Sequence, residues 1–263
     1  MLAEIIRRLG VDAPSDELGE LESSARENIA ATLQKLKERK SSIPQELSDP
    51  FNTVLYHLIM VEASILSLEL RAELRELTLD DAAHILLLSA LRRDGEGHVN
   101  APELEPIAGL DKNGLQLLLL LAKNSLATVL RIVGEAGLDT DALEVVSIVR
   151  RDEERHVDFL KRVIGRDSIS GEQGRYLKTL EKASHILGFW AMTDKDMQEK
   201  LAALLGGGNE EARVELGMQR LTLAQEEAHT ARVNILRSIG FSLMNAQKIS
   251  ELHGGLVKPG WGC

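Results

Sequence analysis

Two pairs of residues carry the chemistry that this sequence allows. Glu153 and His156 lie three apart in Arg151-Asp-Glu-Glu-Arg-His-Val-Asp-Phe159, and Glu226 and His229 lie three apart in Leu223-Ala-Gln-Glu-Glu-Ala-His-Thr-Ala231. On a helix, residues i and i+3 project from one face on adjacent turns. A carboxylate and an imidazole so placed can ligate one metal ion. Two such helices facing each other can ligate two, with further Glu residues bridging. The first pair shares its stripe with Ala142, Val146, Val149, Val157 and Leu160. A carboxylate inside an apolar seam is costly unless it has a partner, and a metal ion is one such partner. The second pair shares its stripe with Leu223, Val233 and Leu236, interrupted by Gln219 and Thr222. Both pairs also fit solvated helix faces with ordinary i,i+3 contacts.

Two further carboxylates would complete a dinuclear site. Glu62 is flanked on its stripe by Leu55, Leu58, Ile59, Ile65 and Leu66, and Glu69, two turns on, is its substitute. Glu181 shares a face with Leu177, Ser184, His185 and Gly188, small residues that leave room for a ligand. His185 is either a further ligand, a partner orienting one, or a satisfied core histidine. His98 lies in a segment, Leu91 to Val99, that resembles Val149 to Val157 but has Gly95 where the second has Glu153. His57, His84 and His253 are assigned to no constellation of ligands.

Helices must position these groups. No proline lies between Ile107 and Lys258, and no window alternates with period 2. The pattern predicts a charged surface helix over Asp16–Lys40, a linker over Ser41–Asp49, and a long helix over Asn52–Glu76. A helix starting near Thr78 and ending near Arg93 follows. Further helices are predicted over Asn113–Glu135, Asp141–Ile164, Glu172–Met192, Asp194–Leu205 and, capped by Asn209, up to Ile239. A last one covers Ser242–Leu252, before a Gly-rich tail.

Composition narrows the function classes. The chain has 263 residues, a formal net charge of −10, 44% hydrophobic and only 3% aromatic residues. Acidity argues against a phosphate-backbone binder, and the shortage of aromatics against a base-stacking platform. Cys263, the one cysteine, cannot form an intramolecular disulfide, which suits the cytoplasm. The most apolar window, Leu115–Val133, contains Gln116, Lys123, Asn124 and Arg131. A charge at mid-span costs about 3 kcal/mol, so this reads as a core helix rather than a membrane span. No phosphate-binding Gly-rich loop and no His-Glu-x-x-His motif is present.

At Asp152-Glu-Glu-Arg-His156 and Glu226-Glu-Ala-His229 the chain resembles the ferritin-like superfamily of carboxylate-bridged dimetal proteins. That resemblance, over about Asn52–Ile239, implies an all-α fold with a ferritin-like four-helix bundle core and additional helices. It divides the chain into an N-terminal extension (1–48), the bundle (49–240), and a C-terminal helix and tail (241–263). It implies two iron ions, with manganese also suited, held by Glu62, Glu153, His156, Glu181, Glu226, His229 and His185. It further implies an oxidase or oxygenase acting on a small organic substrate with dioxygen, served by an electron donor, with no nucleic acid or membrane as partner and a homodimer as its assembly. A metal-storage protein and a metal-free helical interaction module are the alternatives. One departure stands out. Such proteins usually place their first Glu about 30 residues before the first Glu-x-x-His. Here that position falls at Asn124, and Glu62 lies 91 residues upstream.

Overall fold

A computed structural model of the chain describes residues 1–9, 14–38, 43–92, 110–164, 169, 171–182 and 195–254. Among them are eleven α-helices and no strand, as the sequence predicts. We number them α1 (Leu2–Arg8), α2 (Ser15–Asn28), α3 (Ala30–Lys37), α4 (Gln45–Ala72), α5 (Arg75–Leu91), α6 (Lys112–Gly134), α7 (Thr140–Ile164), α8 (Gln173–Lys182), α9 (Lys195–Gly206), α10 (Glu211–Ser238) and α11 (Leu243–Gly254).

The core is made of two hairpins, α4–α5 and α6–α7, with α4 packed on α6 and α5 on α7. The first hairpin turns in two residues. Glu73 adopts the left-handed conformation (φ 57°) that ends α4, and α5 begins two residues later at Arg75, before Thr78. The Asp111 carboxylate caps α6 by accepting from Gly114 N at 2.8 Å. Buried residues lie all round α5, which is apolar on every side. A helix of that kind must be covered everywhere. Here α7 and α4 take the inner faces, and α1, α2 and α3 take the rest. Leu2 and Ile6 of α1 are thereby as buried as Leu86.

Two expectations about local structure change. The predicted linker before Asn52 is largely helical, since α4 begins at Gln45 and runs through Pro50. Proline removes the donor that would reach the carbonyl four residues back. That carbonyl, of Glu46, accepts instead from Asn209 Nδ2 at 2.6 Å. Asn209 is thus occupied with α4, and α10 starts after Glu210 without a side-chain cap. The predicted single helix over Asp16–Lys40 is two, broken at Ile29.

On the far side, α9 packs between α4 and α10. The approach is close, because a Cβ on Gly217 of α10 would lie 1.8 Å from the Ala202 carbonyl oxygen of α9. By length and composition α4 and α6 could each cross a membrane, but 83% of the apolar window of each is buried inside the protein. They are the walls of the core.

Candidate metal centre

The four core helices bring nine polar side chains together. α4 contributes Glu62 and Glu69, α5 contributes Asp80, Asp81 and His84, α6 contributes Lys123, and α7 contributes Asp152, Glu153 and His156. Glu62, Glu69, Asp81, Glu153 and Lys123 have no solvent exposure at all. Glu62 and Glu69 are seven residues apart and so project from one face of α4, two turns from each other.

One ligand atom from each of Glu62, Asp81, His84 and Glu153 lies within 4.8 Å of the others. His84 Nδ1 is 3.2 Å from Glu62 Oε1, 3.5 Å from Glu153 Oε1 and 3.8 Å from Asp81 Oδ1. Despite that proximity, neither Glu62 oxygen makes a hydrogen bond of acceptable geometry. An unsatisfied carboxylate in a dry interior is expensive. These four groups could hold a metal ion, and the unsatisfied Glu62 oxygens fit one.

The imidazoles are held crosswise. His84 Nε2 is 3.3 Å from Asp152 Oδ2, and His156 Nε2 is 3.1 Å from Asp80 Oδ2. An ionised carboxylate only accepts, so each Nε2 carries the proton and each Nδ1 is turned toward the cluster. This carboxylate–imidazole arrangement fixes ring orientation in metal sites. Each orienting Asp directly precedes a cluster carboxylate in sequence, as Asp80-Asp81 and Asp152-Glu153.

Beside this set, Lys123 Nζ is surrounded. It donates to Asp81 Oδ2 at 2.8 Å and Glu153 Oε1 at 3.2 Å, and lies 3.0 Å from Glu69 Oε1 and 3.1 Å from His156 Nδ1.

The electrostatics follow from this crowding. Burial pushes Glu62 up to about 7, with His84 opposing and Glu153 adding to the rise. Burial and then Asp81 push Glu69 well above the usual carboxylate range. Glu153 is held well below that range, because Lys123 and the two imidazoles outweigh its burial. Burial works to lower the His84 pKa, but Glu62, Asp152 and Glu153 together raise it well above its ordinary value. For His156, burial and Lys123 both lower the value, yet hydrogen bonds to Asp80 and Glu153 set it at about 9. Asp80 is lowered chiefly by its bond to His156. Asp152 is lowered by His84 against its own burial.

Of the ligands named from the sequence, Glu62, Glu153 and His156 meet here. Glu69, the substitute for Glu62, is present beside it rather than instead of it. Glu226 and His229 do not join them. Glu226 is exposed on α10, as is Leu223 (62%) one turn before it. The buried stripe of α10 runs through Leu221, Ala224, Ala228 and Leu236, out of phase with Glu226. His229 Nδ1 is 2.9 Å from the Ser250 hydroxyl. Glu181, on α8, is partly exposed and pairs with Lys248 Nζ at 2.6 Å. Glu226 faces solvent and Glu181 a surface lysine, so neither joins the buried cluster. His185, His98 and Cys263 lie outside the described residues, as does the side chain of His253.

Sequence reasoning missed Asp81, His84 and Lys123. The signal for the first two was present, since Asp80-Asp-Ala-Ala-His84 and Asp152-Glu-Glu-Arg-His156 share the pattern Asp, acid, two residues, His. The acid at the ligand position is Asp81, so a Glu-x-x-His spacing does not include it. Comparison with family models, with curated proteins and with solved structures gives no match for the chain.

Proposed function

We propose that this protein is a metal-dependent oxidoreductase of the ferritin-like kind, an oxidase or oxygenase that uses dioxygen on a small organic substrate. The order along the chain supports it: Glu62 on α4, Asp81-x-x-His84 on α5, Lys123 on α6, Glu153-x-x-His156 on α7. A ferritin-like core has a carboxylate on the first and third helices and a carboxylate–x–x–His on the second and fourth. This chain follows that order with Asp81 as the shorter acid and Lys123 in place of the third-helix carboxylate. Lys123 also stands 30 residues before Glu153, next to Asn124, where the ferritin-like resemblance places the first Glu. The observation that carries the reading is the fully buried Glu62–Asp81–His84–Glu153 set with unsatisfied Glu62 oxygens.

Glu62, Asp81, Glu153 and His84 would hold the ion. Oxygen and nitrogen donors of this kind suit iron, and manganese as well. When bound, iron would supply the redox chemistry toward dioxygen. The chain's own groups do the rest. Asp152, beside His84 Nε2, would keep the proton there and leave Nδ1, once deprotonated, to ligate the ion. The carboxylates would compensate its charge. The apolar walls of α4 and α6 exclude bulk water, so these charges act in a medium of low dielectric. A cavity of about 220 Å³ lined by Ile5, Tyr56, Ile59, Met60, Ser89 and Arg92 lies along α4, with Ile59 one turn before Glu62. Retention of the protein in the cytoplasm, an electron donor and a homodimeric assembly belong to the same reading.

The test is dioxygen consumption by protein reconstituted anaerobically with Fe(II). The wild-type chain should consume dioxygen faster than Fe(II) in buffer, and His84→Ala should not. Equal rates for both proteins and for buffer would remove the oxidase reading.

A further inference from the structure

Around Asp81 and Glu153 the side chains form two nests of the same composition. On one side stand Glu62 and His84. On the other stand Glu69 and His156. Each nest therefore offers three carboxylates and one imidazole, two of the carboxylates being common to both. The second nest is filled by the Lys123 ammonium, which lies within 3.2 Å of an oxygen of Glu69, Asp81 and Glu153 and 3.1 Å from His156 Nδ1. Among the described residues the first nest contains no side-chain cation other than its own imidazole. The oxygens of Glu62 and of Glu69 both lack a well-formed hydrogen bond, but Glu69 has the Lys123 ammonium 3.0 Å away and Glu62 has no such cation.

We propose that Lys123 serves as a built-in cation in place of a second metal ion, so that the centre binds one ion per chain, between Glu62 and His84. The inference rests on the metal-binding reading above and replaces the two ions expected from the sequence.

The chemistry of the donors explains the division. An ammonium offers three hydrogens and no empty orbital, so it donates to Asp81 and Glu153 and balances the charge of Glu69 without leaving an open coordination position. It is fixed by a covalent stem from α6 and cannot exchange with solvent. Two divalent ions sharing Asp81 and Glu153 would have to displace it, and the displaced ammonium would be buried without acceptors, a heavy penalty in a dry core. One divalent ion in the first nest would leave the Glu69 and His156 contacts of Lys123 untouched, since both groups stand in the other nest. The arrangement is thus a mixed pair, one metal and one ammonium bridged by two carboxylates. Lys123 is a positioning residue here: it holds Asp81 and Glu153 at the shared edge of the metal's nest.

Manganese(II) is the probe, since an isolated ion and an exchange-coupled pair give different electron paramagnetic resonance spectra. The wild-type chain, loaded with excess Mn(II) and desalted, should retain one ion per chain and show an isolated-ion spectrum. Lys123→Glu, which turns the second nest into four carboxylates and an imidazole, should retain two and show a coupled spectrum. Two ions with a coupled spectrum in the wild type would overturn the proposal and leave the metal reading standing. No ion in the wild type would overturn both. The wild-type measurement decides the matter even where Lys123→Glu does not fold, and one ion in a folded Lys123→Glu would also count against the proposal.

Discussion

His84 on α5 is oriented by Asp152 on α7, with Nε2 3.3 Å from Oδ2. The reciprocal pair, His156 of α7 with Asp80 of α5, crosses the same gap in the opposite sense at 3.1 Å. Each helix thus supplies a cluster ligand and the group that aims the other helix's imidazole. Removing Asp152 should therefore damage metal binding without touching a ligand. For Asp152→Ala we expect a metal affinity lower by about 10–100-fold with the fold retained. Competitive titration against a chelator indicator measures it. Unchanged affinity in a folded variant would show that the ring needs no second partner.

Lys123 links α6 to α4, α5 and α7 through buried ion pairs and, to Asp81 and Glu153, hydrogen bonds. Replacing it with methionine keeps the stem's volume and removes the ammonium from three buried carboxylates. Breaking one side of a buried ion pair costs about 3–5 kcal/mol. Denaturant unfolding of Lys123→Met in the presence of a chelator should show a loss of that size. Added Mn(II) should recover more stability in the variant than in the wild type, because a second divalent ion can then take the ammonium's place. A variant as stable as the wild type under chelation would mean that these carboxylates are neutral already.

Proton release should accompany metal binding. Glu62 sits at about 7 and His84 well above its ordinary value. A cation must take the place of the protons these groups hold, so apparent affinity rises with pH and falls as pH drops. Calorimetry in buffers of different ionisation enthalpy should detect at least one proton released per ion near neutral pH. Affinity that stays flat from about pH 6 to about pH 8 would contradict this charge state.

Much of this was legible before the fold was known. The stretch Leu55–Leu66 marked Glu62 as a lone acid on an apolar face, and α7 carries Glu153 and His156 on its buried stripe. The helices followed from leucine-rich periodicity and the long proline-free region. What stayed hidden has physical causes. α5 is buried all round, so no stripe singled out Asp81 or His84. Lys123 looked like a charge that merely disqualified a membrane span, because a single lysine in a leucine run does not reveal which acids surround it. The second Glu-x-x-His misled because Leu223, counted as an apolar neighbour, is a solvent-facing leucine. Spacing fixes which residues share a face, but not what the face meets.

That misleading pair gives a control. Glu226 is exposed and His229 is engaged with Ser250. Glu226→Ala should leave metal content, affinity and unfolding midpoint within error of the wild type, as surface substitutions usually do, within about 0.5 kcal/mol. A loss of metal in this variant would put a second site on α10.

Packing between α9 and α10 depends on the absence of a side chain at Gly217. In Gly217→Ala the new methyl would meet the Ala202 carbonyl oxygen at 1.8 Å, so one helix must shift. Overpacking of this kind costs about 1–3 kcal/mol. Thermal unfolding checks it. An unchanged midpoint would mean that α9 and α10 are free to slide, and metal content should be unaffected because the centre lies on α4–α7.

The most direct measurement is elemental analysis of the intact chain purified from cells supplied with iron and manganese, set beside Glu62→Ala combined with His84→Ala. The account predicts one iron or manganese ion per wild-type chain and none in the folded double variant. A wild-type chain without metal, or a double variant that retains it, would contradict the assignment of Glu62, Asp81, His84 and Glu153 as the metal site.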